Sequence, residues 1–509
     1  GRIGDLDMPP QRLRVLVVAS EASPFAKTGG LGDVAGALPQ ALHALGHDVR
    51  VLIPRYRDVK EHVTGTRTVI ERVPVPSGDG FVEGQLLETA GPGGVPFYFL
   101  AQDSYFDREA LYGTADGDYL DNCERFTFFC RGTLEALIAL GREGASPWRP
   151  QLIHANDWQT GLIPVYLKTL YRDHPELGGL GTLFTIHNLA YQGVFWHYDM
   201  PMTGLGWDLF TPAGIEFYGK INFLKGGLAF ADLLTTVSRT YAAEIRTPAF
   251  GNGLEGVIED RSADLYGVIN GIDYETWNPA KDPALTCHYS AAQPEDKALC
   301  REALRRELGL EADRSMLITM VTRLAGQKGL DLVLDGLPGL LEAGCQIALL
   351  GSGETPLETA WQEAAAEHPG RVAVRLGYDA ELASRMYAGG DCFLMPSRYE
   401  PCGLGQLIAL RYGTVPIVRR TGGLADTVEE WDARRGTGTG FIFDDFSVEA
   451  LREAVGRAVA AFREPRRWET LVHNAMAQDF SWDASAREYV TLYRKVLRQY
   501  GARSPRRSR

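Results

Sequence analysis

The sequence predicts an α/β protein made of two parallel, doubly wound sheets in tandem, and three observations predict it. Short β-branched apolar runs, each stopped by glycine or a polar turn, alternate with stretches of helical periodicity. The chain has 509 residues, 45% hydrophobic and 23% charged, which is too long for one ordinary core and favours two domains. One phrase is also written twice, KTGGLGD at 27–33 and RTGGLAD at 420–426, each directly after or shortly after an apolar run.

The elements follow in order. Residues 1–12 lack the apolar core of a secretory signal and are expected to form a disordered leader. RVLVVAS (14–20) suits a strand buried on both faces. The first repeated phrase follows it, then VAGALPQALHALG with helical period, then VRVLIP as a second buried strand. QLIHAND, TLFTIHN and ADLLTTVS continue the alternation, so residues 13–260 are expected to form the first domain. Residues 249–300 lack sustained periodicity and are expected to contain the crossing. A second series, SMLITMVTRL, QIALLGSG, VAVRLGY, DCFLMPS and TVPIVRR, with GLDLVLDGLPGLLEAG as a helix after the first of them, assigns 261–483 to the second domain. REYVTLYRKVLRQY is an amphipathic helix, about 484–500, whose pattern is compatible with packing on either domain. Residues 501–509 form a basic tail.

Composition excludes several function classes. A formal net charge of −13 disfavours a nucleic-acid groove or an anionic membrane as main partner. No stretch approaches the roughly 18–20 apolar residues of a membrane span. The seven cysteines show no C-x-x-C pair and no zinc spacing, so a reducing, cytoplasmic setting fits best. Two D-x-D strings, at 5–7 and 116–118, are weak signals for a divalent ion.

Open α/β sheets bind ligands beyond the carboxyl ends of their strands. Both repeated phrases sit there, and paired glycines let a backbone approach a ligand closely. The strings SEASPFAKTGGLGDVAGALP, HANDWQTGLIP, FTIHNLAYQGVF, GVINGIDYETWNP, TRLAGQKGLDL and MPSRYEPCGLGQLIALRYGTVPIVRRTGGLADTV resemble, in order and without large gaps from about residue 13 to about 497, the bacterial glycogen synthase and plant starch synthase family. The resemblance implies two Rossmann-like domains facing across a deep cleft, the GT-B arrangement. It implies transfer of glucose from a nucleotide sugar to the non-reducing end of an α-1,4-glucan, with retention; the bacterial-type motifs favour ADP-glucose over UDP-glucose, and the cations Arg323 and Lys328 make a metal unnecessary, so no metal or other cofactor is expected.

The resemblance also assigns residues. Arg323 and Lys328 are implied to contact the donor diphosphate, whose growing negative charge needs cations in a water-poor site. Glu400 is implied to face the transferred glucose as a charge stabiliser rather than a nucleophile. His187 is implied at the donor sugar, and Asp157 with Trp158 on the acceptor side. Lys27 and Gly30 are expected to reach the donor, Thr421, Gly422 and Gly423 to donate to the diphosphate, and Tyr378 to stack the adenine. Asn270, Cys402, Gly403 and Leu404 complete the donor pocket, Cys402 by packing rather than nucleophilic chemistry. Asp33 is placed near the acceptor, and Asp33 and Asp426 are candidates to cap the helices after their glycines. Gln159 and Gly405 stand where the family commonly has His and Thr.

Three other readings stay open on the sequence. A binding protein that has lost catalysis predicts decay at Arg323, Lys328 or Glu400, and all three are present. A transferase acting on a small acceptor is closer. A hydride-transferring dinucleotide enzyme would need a G-x-G-x-x-G after the first strand, and none follows it.

Overall fold

The computed structural model describes residues 11–142 and 147–503. The expected leader up to residue 10, with its D-x-D string, and the tail from residue 504 lie outside the described residues.

The chain divides into two units. The first takes in the chain through Val237, Ala242–Val268 and the segment from Trp482; the second takes in Ser238–Tyr241 and Ile269–Ser481. The change of unit thus falls several residues after the expected 260/261 boundary, because 265–267 still adds a strand to the first sheet.

The first unit holds a nine-stranded sheet. Its strands are β1 (Arg14–Val18), β2 (Asp48–Pro54), β3 (Arg67–Ser77), β4 (Gly80–Ala90), β5 (Pro96–Ala101), β6 (Leu152–Asn156), β7 (Gly181–Ile186), β8 (Leu233–Thr236) and β9 (Leu265–Gly267). They lie in the order β9-β8-β7-β6-β1-β2-β5-β4-β3. Every residue of β6, β7 and β8 is buried, as expected for strands covered by helices on both faces. β3 and β4 pair antiparallel with each other, and β4 pairs antiparallel with β5. The sheet is therefore mixed, and this hairpin departs from the all-parallel expectation. Its SGDG turn carries the glycines that close two strands.

The last helix, Trp482–Arg503, belongs to this first unit. It packs on the helix Gly30–Ala44 and on β6 and β7. Ala486, Tyr489, Tyr493 and Val496 are buried, and the Tyr493 hydroxyl hydrogen-bonds His154 Nδ1 at 2.6 Å. The helix runs three residues into the expected basic tail.

The second unit holds a six-stranded sheet: β10 (Met316–Val321), β11 (Cys345–Gly351), β12 (Val372–Leu376), β13 (Cys392–Met395), β14 (Val415–Arg419) and β15 (Phe441–Phe443). All its pairs are parallel, in the order β12-β11-β10-β13-β14-β15. Counted from β10 this is the doubly wound order 3-2-1-4-5-6, whose direction reverses between the first and fourth strands. In the first unit the reversal falls between β1 and β6.

Candidate active site

In the second unit, the loops after β10 and β13 meet at the reversal point. The first presents Arg323 and a short 3-10 turn, Gly326–Lys328. The second, PSRYEPCG, brings Glu400. Lys328 Nζ donates to both carboxylate oxygens of Glu400, at 2.9 and 3.0 Å, and Ser397 Oγ donates to Oε2 at 2.9 Å. Glu400 is buried, so this carboxylate is held by three hydrogen bonds rather than by water. Arg323 is exposed and makes no ion pair among the described residues. Together with Thr322, Ser397, Leu404 and Gly405 these groups line a pocket of about 160 Å³.

The second repeated phrase is welded to this loop. Gly422 has φ +45, and a Cβ there would lie 1.8 Å from the Glu400 carbonyl oxygen. At Gly423 a Cβ would lie 2.0 Å from the Cys402 carbonyl oxygen. The Gly423 N–H donates to the carbonyls of Glu400 and Pro401, at 3.1 and 3.0 Å. This corrects one expectation: the Gly423 N–H is engaged within the protein rather than presented to a diphosphate. Thr421 is buried. Asp426 does not cap the helix of its own phrase, Gly422–Thr427, which has Thr421 at its N-cap; it accepts from the Thr240 N–H at 3.0 Å instead. Arg420 faces outward to Asp444.

Cys402 is buried, and its thiol is pushed up to about 12 by loss of solvent, so it stays protonated. The Asn270 backbone bonds its sulfur, and the buried Asn270 Oδ1 has no hydrogen-bond partner among the described residues. Gly403 has φ +76, and Gly405 has the Phe393 ring 2.8 Å from where a Cβ would be. A threonine at 405 would collide with that ring. Tyr378, after β12, is 90% exposed.

In the first unit the loops after β1, β6 and β7 form the corresponding group. The loop after β1 is organised by Glu21, which the sequence reading did not single out. Its buried carboxylate accepts from the Thr28 N–H (2.7 Å), the Thr28 hydroxyl (2.7 Å), the Gly29 N–H (3.2 Å) and the Tyr112 hydroxyl (2.7 Å). Lys27 Nζ pairs with Asp33 at 2.6 Å. Asp33 is thus a partner of Lys27 and not a cap, since the N-cap of Gly30–Ala44 is Gly29 without a side-chain bond. Apart from the adjoining backbone, nothing among the described residues lies within 4 Å of a Cβ built at Gly29 or Gly30.

Asp157, after β6, has φ 61 and ψ −178, a conformation that a non-glycine residue holds only when its surroundings impose it. Its Oδ1 accepts the His187 N–H at 2.7 Å. Burial raises its carboxyl to about 7, with Glu21 adding to the shift and the N–H groups of His187 and Asn188 opposing it. His187 Nε2 lies 2.9 Å from Asn156 Oδ1. The Asn156 amide nitrogen already donates to the carbonyls of Val18 and His154, so its oxygen must accept and Nε2 carries the proton. Burial lowers His187 to about 3, which leaves Nδ1 as an acceptor at neutral pH.

Trp158, expected on the acceptor side, has no open ring face. It is buried, with Phe126, Phe195 and Phe223 packed edge-on at 5.0, 5.7 and 6.2 Å. A Cβ at Gly193 would lie 2.4 Å from its ring, so its faces are covered and cannot stack on a sugar. Gln159 is buried beside it. The D-x-D string at 116–118 lies on an exposed turn, and among the described residues no group of three His, Cys, Asp or Glu is placed to hold a metal.

The description "Starch synthase catalytic domain" matches residues 14–260, and "Glycosyl transferases group 1" matches 301–470. A glycogen synthase from Syntrophotalea carbinolica is 50% identical over 96% of this chain and all of its own length. Glycogen synthases from Geotalea daltonii and Anaeromyxobacter sp. are 48% and 49% identical, over 96% and 95% of the chain and 100% and 99% of their own. Among solved structures, the catalytic domain of starch synthase IV from Arabidopsis thaliana, bound to ADP and acarbose, superposes with a TM-score of 0.87 at 33% identity, covering 96% of this chain and 100% of that one. With reversal-point loops carrying Arg323, Lys328 and Glu400, the chain belongs to the glycogen synthase family of glycosyltransferases.

Proposed function

We propose that this enzyme transfers the glucosyl group of ADP-glucose to the non-reducing end of an α-1,4-glucan, with retention, as a step of glycogen biosynthesis in the cytoplasm. The observation that carries the reading is the Lys328–Glu400 pair beside Arg323 at the reversal point of the second sheet. Two cations and a fixed carboxylate suit a reaction in which a diphosphate leaves while positive charge builds on a sugar carbon.

Arg323 and Lys328 bind the diphosphate and take up its charge as the bond from the anomeric carbon to the phosphate oxygen breaks. The acceptor 4-hydroxyl oxygen bonds to that carbon from the same face, and its proton passes to the departing phosphate oxygen. Glu400 stabilises the positive charge; Lys328 covers both of its oxygens, which suits a charge stabiliser better than a nucleophile. His187, neutral and fixed by Asn156, accepts a sugar hydroxyl at Nδ1. The exposed face of Tyr378 serves the adenine, Lys27 with Gly30 serves the donor, and Asp157 serves the acceptor side. Arg323 and Lys328 supply the charge a divalent ion would otherwise bring, so the proposal includes no metal. Seven free cysteines accord with a reducing compartment.

The test is to incubate the protein with ADP-glucose or UDP-glucose and glycogen or maltooligosaccharide, with EDTA throughout, and to quantify released nucleotide and chain extension. Extension from ADP-glucose is expected. No extension from either donor sinks the reading, and extension that returns only with Mg²⁺ sinks its metal-free part.

A further inference from the structure

The loops after β10 and β13, which bring Lys328 and Glu400 together, are joined by a second set of contacts besides the ion pair. The Arg398 backbone N–H donates to the Gln327 carbonyl at 2.8 Å, and the Gln327 side-chain amide returns a bond to the Tyr399 carbonyl at 3.1 Å. A Cβ built at Gly329, whose φ is +74, would lie 2.0 Å from the Pro396 carbonyl oxygen. The residues on either side of Lys328 thus touch those just before Glu400.

The Arg398 guanidinium completes the join. Nη1 donates to the Gly326 carbonyl, and Nη1 and Nη2 reach the two carboxylate oxygens of Asp331 at 3.1 and 2.7 Å. Asp331 stands in the first turn of the helix Leu330–Glu342, three residues after Lys328. One planar fork therefore grips both ends of the turn that presents Lys328. Arg398 is itself held: its guanidinium carbon lies 4.2 Å from the centre of the Phe446 ring, and its carbonyl accepts from Arg419 Nη1 at 2.7 Å. It does not line the pocket formed by Arg323, Lys328, Ser397 and Glu400.

We infer that Arg398, fixed by Asp331, is a positioning residue that acts through Lys328. The inference rests on the reading in which Lys328 and Glu400 carry glucosyl transfer. A lysine ammonium is a point charge on a flexible stem, and Lys328 has two tasks for its three N–H groups: two go to Glu400, which leaves one for the departing phosphate. A backbone fixed at 326–329 keeps that third direction constant. A misplacement of about 1 Å at such a group can cost about 10²-fold in rate. Lysine at 398 cannot replace the fork, because an ammonium lacks the planar, paired donors that meet a carboxylate and a carbonyl together.

The experiment is a double-mutant cycle of Arg398→Ala and Lys328→Ala, reading kcat and KM for ADP-glucose at saturating glycogen and the calorimetric affinity for ADP. ADP carries the charge that the leaving group acquires, so it reports the same contact without turnover. Arg398→Ala should lower kcat at least about tenfold and ADP affinity at least about fivefold, with the KM for ADP-glucose raised less than about threefold. Arg398→Lys should resemble Arg398→Ala rather than the wild type. In the Lys328→Ala background, Arg398→Ala should change kcat and ADP affinity by less than about twofold. Equal factors in both backgrounds overturn the proposal, since Arg398 would then act without Lys328. So does a wild-type kcat in Arg398→Ala. If Arg398→Ala does not fold, Asp331→Asn, which keeps the arginine and removes only the charge that holds it, takes its place in the cycle: a smaller fall that vanishes in the Lys328→Ala background is expected, and one that persists there overturns the proposal. Absence of chain extension by the wild type from either donor sinks the glucosyl-transfer reading, while the coupling in ADP affinity still judges the staple.

Discussion

Glu21 and Glu400 show how two buried carboxylates take different tasks from their partners. Glu400 faces a lysine and a serine; Glu21 faces two backbone N–H groups and two hydroxyls and shapes the loop bearing Lys27. Lys328→Ala would leave Glu400 buried with Ser397 alone and remove a cation from the leaving group, so turnover should fall by about 10²–10³-fold. Glu21→Gln can keep an oxygen on the Thr28 and Gly29 N–H groups but turns an uncharged NH₂ toward the Thr28 and Tyr112 hydroxyls, so the charge-assisted part of this network is lost, about 1.5–3 kcal/mol in loop order. Its effect should appear mainly as a raised KM for ADP-glucose. Initial rates over a donor series separate the two, and near-normal turnover in Lys328→Ala would mean the wrong groups had been assigned. Motif residues such as Lys328 and Glu400 were legible in the sequence because their strings are specific. Glu21 was not, because a lone acid in a Ser-Ala-Pro loop announces no partner. Whether Trp158 offers a ring face was not legible, because an aromatic beside a polar turn has the same letters whether its faces are open or covered.

At the scale of elements, the repeated phrase separates into two different devices. The first follows the first strand of its sheet and has open space at Gly29 and Gly30; the second follows the fifth strand of its sheet and has backbone within 2.0 Å of where each Cβ would be. The phrases therefore do not mark one point of a duplicated domain. Gly422→Ala should cost about 1–3 kcal/mol or more, since overpacking meets a carbonyl rather than a yielding side chain and the φ is left-handed. Gly30→Ala should leave stability within about 1 kcal/mol while raising the KM for donor. Thermal midpoints and donor KM values check both, and equal destabilisation by the two substitutions would refute the distinction. The buried strands were legible because continuous apolar runs bounded by glycine have few alternatives. The β3–β4 hairpin was not, because VIERVPVP alternates too weakly and carries two prolines. The last helix was legible as a helix, yet its amphipathic stripe fits either unit equally well.

At the scale of the whole molecule, that last helix closes the first unit after the chain has completed the second, and it seals a titrating group. His154 lies between Tyr493 and Thr185, and burial lowers it to about 3; His187 is lowered to about 3 as well. Between about pH 6.5 and 4 the unfolded chain takes up a proton at each histidine and the folded chain does not, so both contributions to stability are lost as pH falls. Asp157 works in the opposite direction. Its carboxyl, raised to about 7, holds a proton in the folded state that the unfolded chain releases above about pH 4, so it favours the fold on acidification. Across these three groups the net difference is one proton, at most about 1.4 kcal/mol per pH unit. The thermal midpoint of the first unit should therefore fall between pH 6.5 and 4.5. In Asp157→Asn the opposing group is gone, two protons separate the states, and the fall should be steeper. A midpoint that rises on acidification, or a slope in Asp157→Asn shallower than in the wild type, would show that these three groups do not titrate as their burial requires.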